Sequence, residues 1–158
     1  MDAGEDAERE ELDGFADWFR MVVVKKVQGL STADATRVAT PSGMTALSVI
    51  KHLAWVEGFW YGTHFAGDEP DGRDNASSFA LAPDDTTESV IAEYEAACER
   101  SRRIAAAAPS LDTTSVRPHW HFDVVTLRWV LIHMVEETAR HAGHLDILRE
   151  LTDGTTGD

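Results

Sequence analysis

Two histidines and a glutamate stand where a helix would normally place leucines, in the stretch HMVEETARHAGHL at residues 133–145. Alternating steps of three and four residues trace one face of a helix, and here they trace a single face that we predict to point into the core. That face consists of Leu127, Val130, Met134, Glu137, His141, His144, Leu148 and Leu151. Burying the glutamate and histidines in the middle of this face is unfavourable unless they are hydrogen-bonded, ion-paired or bound to a metal. We therefore expect them to have such partners.

Metal binding is the chemistry that these residue types favour. His52 lies between Val49 and Val56 on another predicted helix and therefore points at least partly inward. Two imidazoles and one carboxylate, with positions open for water or substrate, commonly hold a catalytic divalent metal. The alternative is a metal-independent network, in which Glu137 pairs with an arginine and the histidines hydrogen-bond to their neighbours.

Helix geometry ranks the candidate ligands. Glu137 and His141 are one turn apart, a rise of about 6 Å with a rotation of about 40°, so both side chains can turn toward one ion. His144 lies roughly 10 Å along the axis from Glu137, so we predict that it supports a ligand or faces the substrate. His133 is rotated about 40° off this face. Glu57 lies about 140° around its helix from the inward histidine and is predicted to stay outside the site.

Other aromatic and histidine residues give weaker signals. Tyr61 and His64, near the end of the second helix, are predicted to line the mouth of the site. His119 and His121 either flank its entrance or are ordinary loop residues, and we favour the second interpretation. The sequence fixes no role for these two or for His133. Large aromatic side chains are more often core than cofactor contacts, which is our prediction for Trp55, Phe59, Trp60, Trp120 and Trp129.

Four predicted helices position these residues. We place them at residues 5–29, from Ser42 or Thr45 to 62–67, from Asp84 or Thr86 to Pro109, and from Thr126 to Leu151 with Gly154 closing the last. The stretch GDEPDGRDNASSFALAP at 67–83 is typical of a long loop. A connection of that length can return the chain across a bundle. We therefore predict an all-α, four-helix bundle in up-down-down-up order, with a long crossover between the second and third helices.

Composition and charge narrow the functional classes. With 158 residues, 43% of them apolar, the chain suits one domain spanning 1–158. Its net charge of −14 disfavours nucleic acid and anionic membrane surfaces as partners. It has no apolar run of about 20 residues and no signal-like start, so we expect a cytoplasmic protein without membrane association. The single cysteine, Cys98, is predicted to be a small core residue.

Two stretches together resemble the DinB-like metalloenzyme superfamily, in particular its mini-circle protein subgroup. They are MTALSVIKHLAWVEGFW at 44–60 and VTLRWVLIHMVEETARHAGHLDILRELTDGTTG at 125–157. The resemblance covers nearly the whole chain, and the second stretch is the more specific. It implies a DinB-like bundle, often dimeric, that holds one divalent metal through a histidine of the second helix and two residues of the fourth. In this sequence those positions are His52, Glu137 and His141.

The sequence departs from the superfamily pattern at three positions. Many relatives have a histidine where this chain has Glu137, although mycothiol-dependent maleylpyruvate isomerases are similar in having a glutamate there. Ala142 and His144 stand where many relatives have an arginine and a glutamine, so no role of those two positions carries over. The glutamate at position 137 affects which metal the site prefers more than whether the site exists.

The resemblance also implies an activity. Its characterised members often use mycothiol or bacillithiol, so we expect a thiol-dependent S-transferase or isomerase acting on a small electrophile. A divalent cation would lower the pKa of a bound thiol and hold the thiolate as nucleophile. His144 would then transfer a proton or orient the bound group. Zinc is our first choice, and nickel, iron or manganese suit the same donors. The alternative is a non-catalytic, metal- and small-molecule-binding stress-response protein; for assembly, the resemblance implies a homodimer.

Overall fold

Helices account for most of the chain in the computed structural model, which describes residues 3–157. They are α1 (Ala3–Val27), α2 (Thr32–Ala35), α3 (Ala46–Glu57), α4 (Thr87–Ala107) and α5 (Leu127–Asp153). A π-helical segment, Gly58–Ala66, continues α3, and a short 3₁₀ turn, Ser77–Phe79, lies in the connection to α4. Over 3–157 there is no strand beyond one isolated bridge. The predicted all-α class is confirmed. None of the described helices combines the length with the hydropathy that a membrane span requires.

The first and last long helices run parallel. Glu8, early in α1, forms an ion pair with Arg128 at the start of α5. Near the other end of both helices, Lys26 forms an ion pair with Asp146. Because the contacts advance in the same direction along both chains, α1 and α5 point the same way and form one pair of the bundle.

The two middle helices form the second parallel pair. Lys51 of α3 bonds to Glu93 of α4 at 2.7 Å. Further along both helices, the Cys98 thiol lies 3.7 Å from the carboxylate of Glu57. The long connection at 67–86 therefore returns the chain to the end of the bundle where α3 begins, as predicted for the crossover.

The two pairs point in opposite directions. His52 in α3 contacts Glu137 in α5, whereas Trp60, later in the chain, packs on Trp129, earlier in α5. Helices α3 and α5 are thus antiparallel neighbours. The predicted up-down-down-up order is confirmed, and it sets the histidine of α3 against the ionisable face of α5.

Local capping fixes where the site helices begin. Thr45 and Ser48 form a capping box at the start of α3, and Thr86 and Ser89 form another at the start of α4. Each threonine was one of the two alternatives predicted for the start of its helix, with Ser42 and Asp84 as the others. The π-helical segment ends at Gly67, whose φ of 84° is a left-handed conformation that glycine adopts readily. Fixing the first turn of α3 also fixes which face His52 occupies two turns later.

Two apolar clusters form the core, and the ionisable residues lie between them on α5. One cluster includes Val27, Ile50 and Leu145, and the other includes Trp60 and Met134. Burial of these side chains supplies the main driving force for closing the bundle.

Two core predictions were wrong. Leu151 is 55% exposed, because it lies in the last turn of α5, beyond Arg149, where α5 contacts the end of α1. Trp120 is 71% exposed, because it lies in the loop before α5, where its ring contacts His119 but is not enclosed by the core. Among the other aromatic residues, Trp55 and Trp60 are buried as predicted.

Candidate metal centre

The structure brings the three predicted ligands together. His52 of α3 and Glu137 and His141 of α5 each offer one ligand atom, and these atoms all lie within 4.8 Å of one another. The exposed fractions of the three residues are 2%, 8% and 6%, respectively. A buried cluster of nitrogen and oxygen donors on two facing helices is therefore present where the sequence placed it.

The donor geometry suits a divalent metal. The Nε2 atoms of His52 and His141 lie 3.3 Å and 3.2 Å from the same atom, Oε1 of Glu137. Ligands bound at about 2.0–2.2 Å to one tetrahedral ion lie roughly 3.4 Å apart, close to these separations. Three protein ligands would also leave a fourth position for water or substrate, as in catalytic zinc sites. The residues present therefore fit the metal that the superfamily implies.

Electrostatics keep both imidazoles uncharged. Burial lowers the pKa of His52 to about 3, with further lowering by His141 and Arg140. Burial also lowers the pKa of His141 to about 4, again with help from Arg140. Neutral imidazoles retain the nitrogen lone pair that a metal requires.

Arg140 is a member of the site that we did not single out from the sequence. It forms an ion pair with Oε2 of Glu137 and lies 3.5 Å from Glu136. Its position three residues after Glu137, a spacing that favours contact on a helix, was the available signal. One oxygen of Glu137 thus has a cationic partner, as the metal-independent interpretation expected, whereas Oε1 faces the two histidines.

His144 lies beside the group and outside the three-residue cluster. Its Nδ1 is 3.3 Å from Nδ1 of His141, and the two ring centroids are 5.1 Å apart. Burial lowers the pKa of His144, with additional lowering by His141 and Arg140. The contact places His144 against a candidate ligand, on the side of the ring away from Glu137.

The remaining histidines of α5 and its preceding loop lie elsewhere. His133 stacks on Trp129 and lies 3.5 Å from Glu136. His119 stacks on Trp60 at 4.9 Å, and His121 is exposed. None of the three joins the cluster.

Of the predictions about the second helix, the one for Tyr61 and His64 was wrong, and the one for Glu57 is confirmed. Tyr61 does not line the mouth of the site. It lies in the π-helical segment and faces α1, where the guanidinium of Arg20 is 5.8 Å from the centre of its ring. His64 lines a cavity of about 340 Å³ together with Phe59, and none of the three clustered residues lines this cavity. Glu57 stays outside the cluster as predicted and pairs with Arg20.

The long connection supplies two residues that sequence reasoning missed. Ser78 Oγ lies 2.7 Å from Nδ1 of His52, and the ring of Phe79 stacks on His52 with centroids 3.9 Å apart and planes 7° apart. Asp74 and Ser77 cap one another reciprocally at the start of this turn. That D-x-x-S spacing could have predicted a helical turn, although not its contact with His52.

The order of the bundle and the buried His-Glu-His cluster on its facing helices define the class of the protein, a member of the DinB-like superfamily. The sequence profile of the mycothiol S-transferase family matches residues 11–154, and the chain belongs to this family. A comparison with curated proteins found no match.

Proposed function

We propose that this protein is a divalent-metal-dependent S-transferase that joins mycothiol to a small electrophile. The observation that carries the proposal is the convergence of His52, Glu137 and His141, with ligand atoms within 4.8 Å of one another, in a chain of the mycothiol S-transferase family. We assign these three residues as the metal ligands. Zinc is our first choice, and nickel, iron and manganese also suit two imidazoles and a carboxylate.

A bound divalent cation would lower the pKa of a coordinated thiol and hold the resulting thiolate at the open position. The chain's own residues prepare that position. Arg140 occupies Oε2 of Glu137, which leaves Oε1 directed at the two imidazoles. His144 contacts His141 at 3.3 Å, which suits it to orient that ring or to accept a proton.

The proposed transfer is a substitution at an electrophilic carbon. The thiol gives up its proton to His144 or water, and a sulfur lone pair forms the bond to carbon. The bond from that carbon to its leaving group breaks at the same centre, and the leaving group departs with the electron pair. No oxidant or reductant is needed, so the protein has only to bind, orient and deprotonate.

Elemental analysis of the untagged protein tests the metal centre. We expect about one equivalent of a transition metal in the parent, and its loss in His52→Ala and His141→Ala. His133→Ala is the matched control, because this histidine is on the same helix as His141 and outside the cluster. A parent that takes up no metal, even when metal is offered, contradicts the proposal and favours the metal-independent network.

Mycothiol assays test the activity. Metal-loaded parent protein should consume mycothiol with one or more members of a panel of haloalkyl and epoxide electrophiles, and mycothiol should change the visible spectrum of the cobalt-substituted protein. A spectrum that does not respond to saturating mycothiol argues against thiol ligation. Bound metal without thiol consumption across the panel instead supports the non-catalytic stress-response protein.

We also propose a homodimer in the cytoplasm, where thiols stay reduced. Phe15, Trp18 and Met21 of α1 are 60%, 55% and 52% exposed, and their spacing places them on neighbouring turns of one helix. Exposed apolar groups of this kind are typical of association surfaces. Light scattering should give the mass of two chains for the parent and of one chain for Trp18→Glu; a monomeric parent would contradict this assembly.

A further inference from the structure

A serine of the long α3–α4 connection contacts one of the proposed metal ligands from the side away from the cluster. Ser78 is 0% exposed, although it lies in a connection composed mostly of small polar residues. Its Oγ is 2.7 Å from Nδ1 of His52 and also 2.7 Å from the backbone oxygen of Asn75. Both distances are those of good hydrogen bonds.

Counting hydrogens fixes the direction of these two bonds. The serine hydroxyl carries one hydrogen, and the Asn75 carbonyl can only accept, so Ser78 donates to Asn75. The hydroxyl oxygen can then only accept from His52, whose Nδ1 must carry the proton. In the reverse arrangement the Asn75 oxygen would face another oxygen at 2.7 Å with no hydrogen between them.

The consequence appears on the other side of the ring. With its proton on Nδ1, neutral His52 presents an unprotonated Nε2 to Oε1 of Glu137 at 3.3 Å. Two lone pairs then face each other across a distance that a cation would bridge. Phe79 stacks on His52 nearly in parallel and holds the plane of the imidazole in this direction.

We infer that Ser78 is a positioning residue, which holds His52 in the tautomer whose Nε2 is free to bind a divalent cation. The crossover connection is then part of the metal centre as well as a link between helices. The role toward the metal rests on the proposed function, whereas the tautomer follows from the geometry of Ser78, Asn75 and His52. Partners of this kind are typically worth about 10–100-fold in metal affinity.

The first readout is the tautomer itself, measured by ¹⁵N NMR of the imidazoles in metal-free protein. We expect the proton on Nδ1 of His52 in the parent and a mixture of tautomers in Ser78→Ala. A parent with its proton on Nε2 would overturn the inference whether or not the protein binds metal. This measurement therefore separates failure of the inference from failure of the proposed function.

The second readout is zinc affinity, measured by competition with a chromophoric chelator. Ser78→Ala should bind zinc about 10–100-fold more weakly than the parent, and Ser78→Thr, which keeps the hydroxyl, should recover part of the loss. Ser115→Ala is the matched control, since Ser115 is also buried and bonds to backbone groups, at Arg117 and Val125, away from the cluster. Equal zinc affinity in folded Ser78→Ala and Ser115→Ala would overturn the role toward the metal.

Discussion

Two buried polar centres lie on different sides of α3, and they are built on opposite principles. On one side, Arg20 donates from Nε and Nη2 to the two carboxylate oxygens of Glu57 at 2.7 Å and 2.8 Å. These residues are 6% and 1% exposed. On the other side, the imidazoles of His52 and His141 approach one oxygen of Glu137. Both centres bury a carboxylate, but only the first gives both of its oxygens a charged donor within the bundle core.

The difference shows that burial of ionisable residues does not by itself identify a functional site. In the Arg20–Glu57 pair, donors meet acceptors in a two-pronged arrangement that needs nothing more. Burial disfavours the charge on Arg20, but the Glu57 carboxylate outweighs burial and raises the pKa of the guanidinium. In the His-Glu-His cluster, the Nε2 atoms of two neutral imidazoles converge on one carboxylate oxygen, which is how the ligands of a single cation are arranged.

The largest expected effect is on stability and comes from breaking the buried Arg20–Glu57 ion pair. Arg20→Met leaves the Glu57 carboxylate buried without its partner, so we expect a loss of about 3–5 kcal/mol in the free energy of unfolding, measured in urea. The double variant Arg20→Met with Glu57→Leu should recover most of this loss, because no charge remains buried. A loss as small as that of Arg103→Met, which alters an exposed side chain, would contradict the comparison.

The second prediction concerns the stability gained when metal binds the His-Glu-His cluster. Zinc at 100 times its dissociation constant should stabilise the folded protein by about 2.7 kcal/mol and raise the Tm by roughly 5–10 °C. Chelation should reverse the shift. His141→Ala should show no such shift, because it lacks one of the proposed ligands. Arg20→Met should have a lower Tm but keep the full shift; loss of the shift there would mean that the two centres are not independent.

The third prediction concerns the reactivity of Cys98, which lies beside the Arg20–Glu57 pair. It is 3% exposed as predicted from the sequence, and burial together with the Glu57 carboxylate raises the pKa of its thiol. We expect thiol reagents to modify Cys98 only after unfolding in urea, and Cys98→Ala to keep the parental rate of mycothiol consumption. Loss of transfer in a folded Cys98→Ala protein would instead make this residue the nucleophile.

The last prediction is a change in the pH dependence of stability at His119, which belongs to neither centre. Burial lowers its pKa from 6.5 to about 4, with smaller contributions from neighbouring histidines. Between these values the unfolded chain binds a proton that the folded protein does not, so stability is full above about pH 6.5 and falls with acidification. His119→Gln should therefore flatten the decline in unfolding free energy between pH 7 and 5. The exposed His121→Gln is the control, and equal slopes for the two variants would contradict the assignment.

Much of the candidate site was predictable because its signals are local. The spacing along α5 placed Glu137 and His141 on the buried face, and Thr45 fixed the start of the helix that carries His52. Leu151 had the same spacing and yet is exposed, because spacing defines a face but not where the neighbouring helix stops covering it.

Helix period and caps act over a few residues, so they predicted the helical class and the buried face of α5. The length of the 67–83 connection predicted the order of the helices, and the resemblance to DinB-like proteins implied that His52 meets Glu137 and His141. The sequence did not predict that Arg20 pairs with Glu57, or that the hydroxyl of Ser78, 26 residues from His52, hydrogen-bonds to its Nδ1. These contacts depend on how helices and the crossover dock. A single hydroxyl in a polar loop carries no periodic signal of its partner, because its hydrogen bond is selected by packing in three dimensions.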